Sequence, residues 1–225
     1  MVRVFAGLLV AGTVAGCGST IAGHPVARQQ TTITHRVAAP LADLLPTRDR
    51  FPPRYATAVL PADQARRAAG DLAGVPPGSQ ADPADCVPPQ RGFGTDSSAV
   101  VVGTDDAARA TLTIELTRTD EPLARLRERL PGCAVVRVQR GPIANAVVTQ
   151  PDPAPSVDAD DALAWRRTVS GPVNAPGLTP SMYTELAQVG DVRINATYMS
   201  FDNQPPDRAT LSSVFGATIG RVRES

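Results

Sequence analysis

The chain has 225 residues and no formal net charge, 22 basic side chains standing against 22 acidic ones. No basic cluster or aromatic-interleaved stripe breaks that balance, which argues against nucleic acid as a partner. Every basic residue is Arg and none is Lys, and with abundant Ala, Val and Pro this reads as the codon bias of a GC-rich genome rather than as a binding device.

Arg3 forms a positive n-region, residues 4–14 form an apolar run without a charge, and Val14-Ala15-Gly16-Cys17 closes it with small residues before a cysteine. This is the pattern of a bacterial lipoprotein signal. It predicts that residues 1–16 are a signal peptide, that the Gly16-Cys17 bond is cut, and that the Cys17 sulfur takes diacylglycerol. An ordinary secretory leader or an uncleaved membrane helix would be the alternatives, but the run ends after about a dozen residues, short of the roughly 20 that a bilayer span needs. Buried methylenes contribute about 0.8 kcal/mol each, and two or more acyl chains give stable anchoring. The expected location is the extracytoplasmic face of the cell membrane, in the cell envelope.

Residues 17–46 read as the lipidated Cys followed by a flexible tether, since Gly, Ser, Thr, Gln and Pro occur there without sustained periodicity. Both histidines, His24 and His35, fall in this stretch. Residues 47–225 remain as one extracytoplasmic domain, long enough for a hydrophobic core. With Cys17 lipidated, Cys86 and Cys133 are the one remaining pair, and in an oxidising compartment they are expected to bridge. Cys-x-x-Cys spacing is absent, so the bridge reads as structural, contributing at most about 4 kcal/mol by chain-entropy reasoning.

Within the domain, residues 55–60 resemble a short strand ending at Pro61, which suits the first turn of a helix over residues 62–72. Gly74 and Pro76-Pro77 stop that helix, and a Pro, Gly and Asp-rich loop surrounds Cys86. Residues 98–104 and 111–117 form the clearest hairpin: Leu112, Ile114 and Leu116 share one face, and Thr111, Thr113, Glu115 and Thr117 share the other. Asp120 offers an N-cap to a helix carrying Leu123, Leu126 and Leu130. Strand-like stretches follow at 133–139, 144–150 and 162–169, then a final hairpin at 182–189 and 192–201 turning at Gly190-Asp191, with a one-turn helix at 181–186 as the alternative to its first strand. Asp207 can cap a closing helix striped by Leu211, Val214, Phe215, Ile219 and Val222. The fold class expected is α+β: a single antiparallel sheet of about five to seven strands, two to three helices packed on one face, and one internal disulfide.

Chemistry is conspicuous by what the pattern lacks. A nucleophile needs an imidazole fixed within hydrogen-bond reach, and histidines on a mobile tether cannot supply one. Zinc wants clustered His and Cys, and no Gly-rich phosphate loop is present. No catalytic residue, metal ligand or cofactor is therefore assigned. Asp158, Asp160 and Asp161 crowd before Trp165, and Asp105-Asp106 sit at a hairpin turn; solvated turn aspartates are favoured over a paired-acid or calcium site, because Asp is a preferred turn residue. Trp165, the single tryptophan, reads as core more readily than as a ligand platform.

The segments Arg50-Phe51-Pro52-Pro53-Arg54-Tyr55, Cys86-Val87-Pro88-Pro89, Val102-Gly103-Thr104-Asp105 and Gly190-Asp191-Val192-Arg193 together resemble a family of mycobacterial cell-envelope lipoproteins. That family carries a domain of unknown function and is distantly similar to the extracellular sensor domain of a mycobacterial serine/threonine kinase. The resemblance covers residues 45–223. It implies an antiparallel sheet with helices beside a cleft; the kinase sensor has two disulfides, whereas this chain has cysteines for one. The function expected is a lipid-anchored, non-enzymatic, sensor-like domain that binds an envelope ligand or protein. A carboxylate-dependent envelope hydrolase and a purely structural or antigenic surface protein are the competing readings.

Overall fold

The computed structural model describes residues 33, 35–87, 96–171, 180–202 and 204–225. The leader, Gly16, Cys17 and His24 lie outside them.

Among the described residues four α-helices and nine strands follow in chain order: α1 (Leu41–Leu44), β1 (Ala56–Val59), α2 (Ala62–Ala73), β2 (Gln80–Asp82), β3 (Ser98–Asp105), β4 (Ala110–Arg118), α3 (Leu123–Arg129), β5 (Val135–Arg140), β6 (Ile143–Asp152), β7 (Asp161–Ser170), β8 (Ser181–Val189), β9 (Val192–Ser200) and α4 (Arg208–Arg223). All strands join one antiparallel sheet in the order β1-β3-β4-β9-β8-β7-β6-β5-β2. The expectation of five to seven strands is corrected to nine. The eight stretches with strand character all pair, and β2 adds a ninth from three residues inside the proline-rich loop. An edge strand needs neighbours on one side only, so four residues in β1 and three in β2 suffice without any alternating pattern.

Register sorts side chains onto two faces. Leu112, Ile114 and Leu116 of β4 oppose Tyr198, Ala196 and Ile194 of β9, and this face meets Leu211, Val214, Phe215, Ile219 and Val222 of α4 in the main core. The closing helix starts where its sequence says, because Asp207 Oδ1 accepts the Thr210 amide at 3.0 Å. Helix α3 does not use Asp120; it begins after Pro122 with no side-chain cap.

The same core takes in residues assigned above to the tether. Val37 and Leu41 are 1% and 0% exposed, and Leu44 and Leu45 are buried beside them. Globular packing thus begins well before residue 47. A single helical turn and isolated apolar side chains produce no readable period, yet each buried leucine contributes about 2–3 kcal/mol.

The helices do not share one face, which is the second correction. On the side opposite α4, Leu123 of α3 packs with Leu163, Trp165 and Leu186, flanked by Leu126 and Leu130. Near the β2 edge Val75, Val136, Val138 and Val147 form a separate cluster around Cys86 and Cys133, whose Cα atoms are 5.6 Å apart across the disulfide. Strands β4 and β9 are buried on both sides, and a sheet covered on both faces accommodates more strands than one half open to water.

Candidate functional site

The face turned away from α4 carries an unusual quantity of buried polarity, arranged in rows by the register. One row runs Val102, Thr113, Thr197, Thr184, Trp165 and Pro151 across β3, β4, β9, β8, β7 and β6. The next runs Val100, Glu115, Asn195, Leu186 and Leu163, and the third Ser98, Thr117, Arg193, Gln188 and Asp161. On the other side of the first row lie Thr111, Met199, Met182, Arg167 and Thr149. Thr113, Glu115, Thr117, Thr184, Arg193 and Thr197 are all buried.

Helix α2 spans this floor. Leu60, just ahead of it, donates its amide to the Val100 carbonyl of β3 at 2.9 Å, and the Leu72 carbonyl near its end accepts Arg167 Nη1 of β7 at 2.8 Å. Four strand spacings separate β3 from β7, about 19 Å, and twelve residues of α-helix measure about 18 Å. The helix crosses the strands like a bar. Ala65 is its one buried residue, and Ala68, Ala69 and Leu72 follow at helical spacing on the same side, half-buried. These side chains are apolar, and the polar partner that α2 gives the floor is the backbone carbonyl of Leu72.

Several floor groups satisfy one another. Thr184 and Thr197 share a hydroxyl hydrogen bond of 3.0 Å, while Glu115 accepts Thr117 Oγ1 at 3.3 Å and Asn195 Nδ2 at 3.2 Å. Arg193 donates to the Glu121 carbonyl at 2.6 Å and to Gln188 Oε1 at 3.4 Å. Others are left over: among the described residues Ser98 Oγ, Asn195 Oδ1 and Trp165 Nε1 are buried with no hydrogen-bond partner. Each such group costs about 1–3 kcal/mol. Three of them stand on one face.

At the β7 end, Arg167 Nε donates to Thr149 Oγ1 at 3.1 Å and its guanidinium lies 5.4 Å from the Trp165 ring centroid. No carboxylate comes within ion-pair distance, and burial without a counter-charge brings Arg167 down to about 10.

The acidic candidates are dispersed. Asp105 is buried against Arg54 Nε at 3.0 Å and accepts the Ala108 amide, so it is a structural turn anchor rather than a solvated aspartate. Asp158 meets Arg223, Asp160 Oδ2 accepts the Gly190 amide at 2.8 Å, and Asp161 pairs with Arg127 at 2.5 Å. Among the described residues no three His, Cys, Asp or Glu side chains form a metal-binding group. The carboxylates in the floor rows are Glu115 and Asp161, three strands or about 14 Å apart, beyond the roughly 5–9.5 Å of a glycosidase pair. On the α4 face Glu185 accepts Ser212 Oγ at 2.8 Å and Tyr183 Oη at 3.4 Å; its Oε2 has no partner, and burial raises its pKa.

A groove of about 350 Å³ lies elsewhere, between the α1 segment and edge strand β1, lined by Leu45, Thr57, Val59 and Arg221. None of the unpaired polar atoms lines it. Sequence reading assigned Trp165 to the core, where it is; it grouped Thr113, Glu115 and Thr117 on one face of a hairpin and assigned them no site. The one available signal was that β9 repeats the same alternation, with Arg193, Asn195 and Thr197 in step.

Among the described residues no helix is long and apolar enough to cross a membrane. No family model and no curated protein matches the chain. Solved structures that resemble it include the following two. An uncharacterised protein of Mycobacterium smegmatis, the Rv0999 ortholog, is 14% identical with a TM-score of 0.48, covering 81% of this chain and 96% of that one. The extracellular domain of PknH from Mycobacterium tuberculosis is 9% identical with a TM-score of 0.40, covering 57% of this chain and 64% of that one.

Proposed function

We propose that the chain is a lipid-anchored, extracytoplasmic, non-enzymatic binding domain of the cell envelope, and that it receives its ligand on the polar sheet face beneath α2. The observation that carries the binding site is the set of buried, unpaired polar atoms on one floor, Ser98 Oγ, Asn195 Oδ1 and Trp165 Nε1. A ligand offering both donors and acceptors offsets their desolvation, whereas a purely structural role leaves it uncompensated. The Val14-Ala15-Gly16-Cys17 pattern supports anchoring through Cys17, and the Cys86–Cys133 bridge is the kind that persists outside the cytoplasm.

The test is recovery of the native protein in mild detergent, followed by mass spectrometry of what travels with it. Wild-type protein should carry a small molecule or peptide that a Thr197→Met variant of equal thermal stability loses. Equal recovery from both, or none from either, would refute the floor as the site. Anchoring is tested separately, by loss of labelled palmitate in Cys17→Ser.

A further inference from the structure

We propose that the β7 end of this polar sheet face is an anion subsite, in which Arg167 and Trp165 receive a carboxylate or phosphate group of the bound ligand. This rests on the floor beneath α2 being the ligand site, and it adds the chemical class of what binds there.

The groups collected at that end are donors. Arg167 commits Nε to Thr149 and Nη1 to the Leu72 carbonyl, and its Nη2 has no protein acceptor among the described residues. The indole beside it, 5% exposed, holds an Nε1–H with no acceptor. The chain does not supply the missing negative charge. Every one of its Asp and Glu residues lies in the described segments, and none pairs with Arg167. Asp71, the acidic neighbour of Leu72 in α2, is placed to feel Arg140 instead. Thr149, Met182 and Pro151, the strand neighbours of Arg167 and Trp165 on this face, carry no charge, and Leu123, Leu163 and Leu186 packed around the indole are apolar.

Five other arginines, Arg54, Arg118, Arg127, Arg129 and Arg208, are paired with carboxylates. Arg167 stands apart from them, half-buried and fixed in place by two hydrogen bonds. A guanidinium so held is preorganised for an external oxyanion, because the entropy of ordering it is already spent. The neighbouring indole N–H adds a neutral donor.

The experiment uses the full chain in neutral detergent, with Trp165 as the sole fluorophore of its kind. Sodium phosphate and sodium acetate are titrated against sodium chloride at constant ionic strength. Phosphate or acetate should change Trp165 emission saturably while chloride does not, and Arg167→Gln should weaken the response about tenfold or abolish it. Arg166→Gln, whose side chain points to the α4 face, should respond as wild type. Arg167→Lys, which keeps the charge if Arg167→Gln folds poorly, should retain a weakened response. Absence of any saturable change in the wild type, an equal effect of chloride, or an undiminished response in Arg167→Gln would overturn the proposal. If the anion response is absent but Thr197→Met still strips a ligand from the native protein, the subsite falls and the floor stands as the binding site. If both fail, both fall.

Discussion

The amide of Val37 donates to Asp191 Oδ1 at 2.8 Å, joining residues 154 positions apart. Arg118 completes the knot, giving Nη1 to Asp191 Oδ2 at 3.0 Å and to the Val37 carbonyl at 2.8 Å, and Nη2 to the Ala39 carbonyl at 2.8 Å. The segment entering the domain is thereby tied to the β8–β9 turn and the end of β4. Asp191 is 7% exposed, so removing its carboxylate strands a largely buried guanidinium and an amide. Asp191→Ala should cost about 2–4 kcal/mol in urea unfolding, and Asp191→Asn, which keeps an acceptor, clearly less. Equal losses would show that the knot is incidental.

Leu41 tests whether residues 37–45 are core or tether. Its side chain is fully buried in α1 against the sheet. Leu41→Ala should therefore lower stability by about 2–4 kcal/mol, measured by chemical denaturation, where a tether residue would change nothing.

What the sequence makes legible follows from how each element is stabilised. Helix α4 and the apolar face of β4 are periodic because one continuous face of each is buried, and Leu211 to Val222 and Leu112 to Leu116 display that directly. Strand β2 and helix α1 are too short for a period, and their order comes from distant partners, Arg137 to Gln139 for one and the Asp191 knot for the other. The floor was hidden for a different reason. Thr and Glu alternating with Leu look the same whether the polar side meets water or a helix of small residues, and that difference is set by α2 crossing from β3 to β7.

The disulfide joins the β2 edge to the start of β5 across a sequence separation of 47. Chain-entropy reasoning assigns such a loop about 4 kcal/mol at most. Reduction, or the Cys86→Ser/Cys133→Ser pair, should lower the urea midpoint by an amount worth about 2–4 kcal/mol and release the Val75, Val136, Val138 and Val147 cluster first. Hydrogen exchange would show this as early loss of protection in β5 and β6; uniform loss across the sheet would contradict it.

Glu185 gives a pH dependence of known sign. Burial raises its pKa in the folded state above the ordinary carboxylate value. The folded protein then binds more protons than the unfolded chain over the interval between the two values, so this group's contribution to stability is full below the unfolded value and is lost as pH rises through the folded one. Glu185→Gln keeps the acceptor for Ser212 and removes the charge. The melting temperature of Glu185→Gln minus that of the wild type should grow between about pH 4 and pH 7. A difference that shrinks over that range would reverse the assignment.

Gly74 connects stability to the polar floor beneath α2. It closes α2 in the left-handed region at φ +71°, and a Cβ there would stand 2.7 Å from Val147 Cγ2 and 3.0 Å from Cγ1. Gly74→Ala therefore meets two penalties, backbone conformation and overpacking, together about 2–4 kcal/mol. Relief requires the end of α2 to lift, and the Leu72 carbonyl that holds Arg167 lifts with it. The substitution should accordingly perturb Trp165 emission and weaken the phosphate response, although it touches neither residue. Val147→Ala opens the space that the new methyl needs. The double variant should then be more stable than the sum of the two single losses, with the Trp165 signal partly restored. Strict additivity would mean that the steric contact is not what couples this glycine to Arg167 and Trp165.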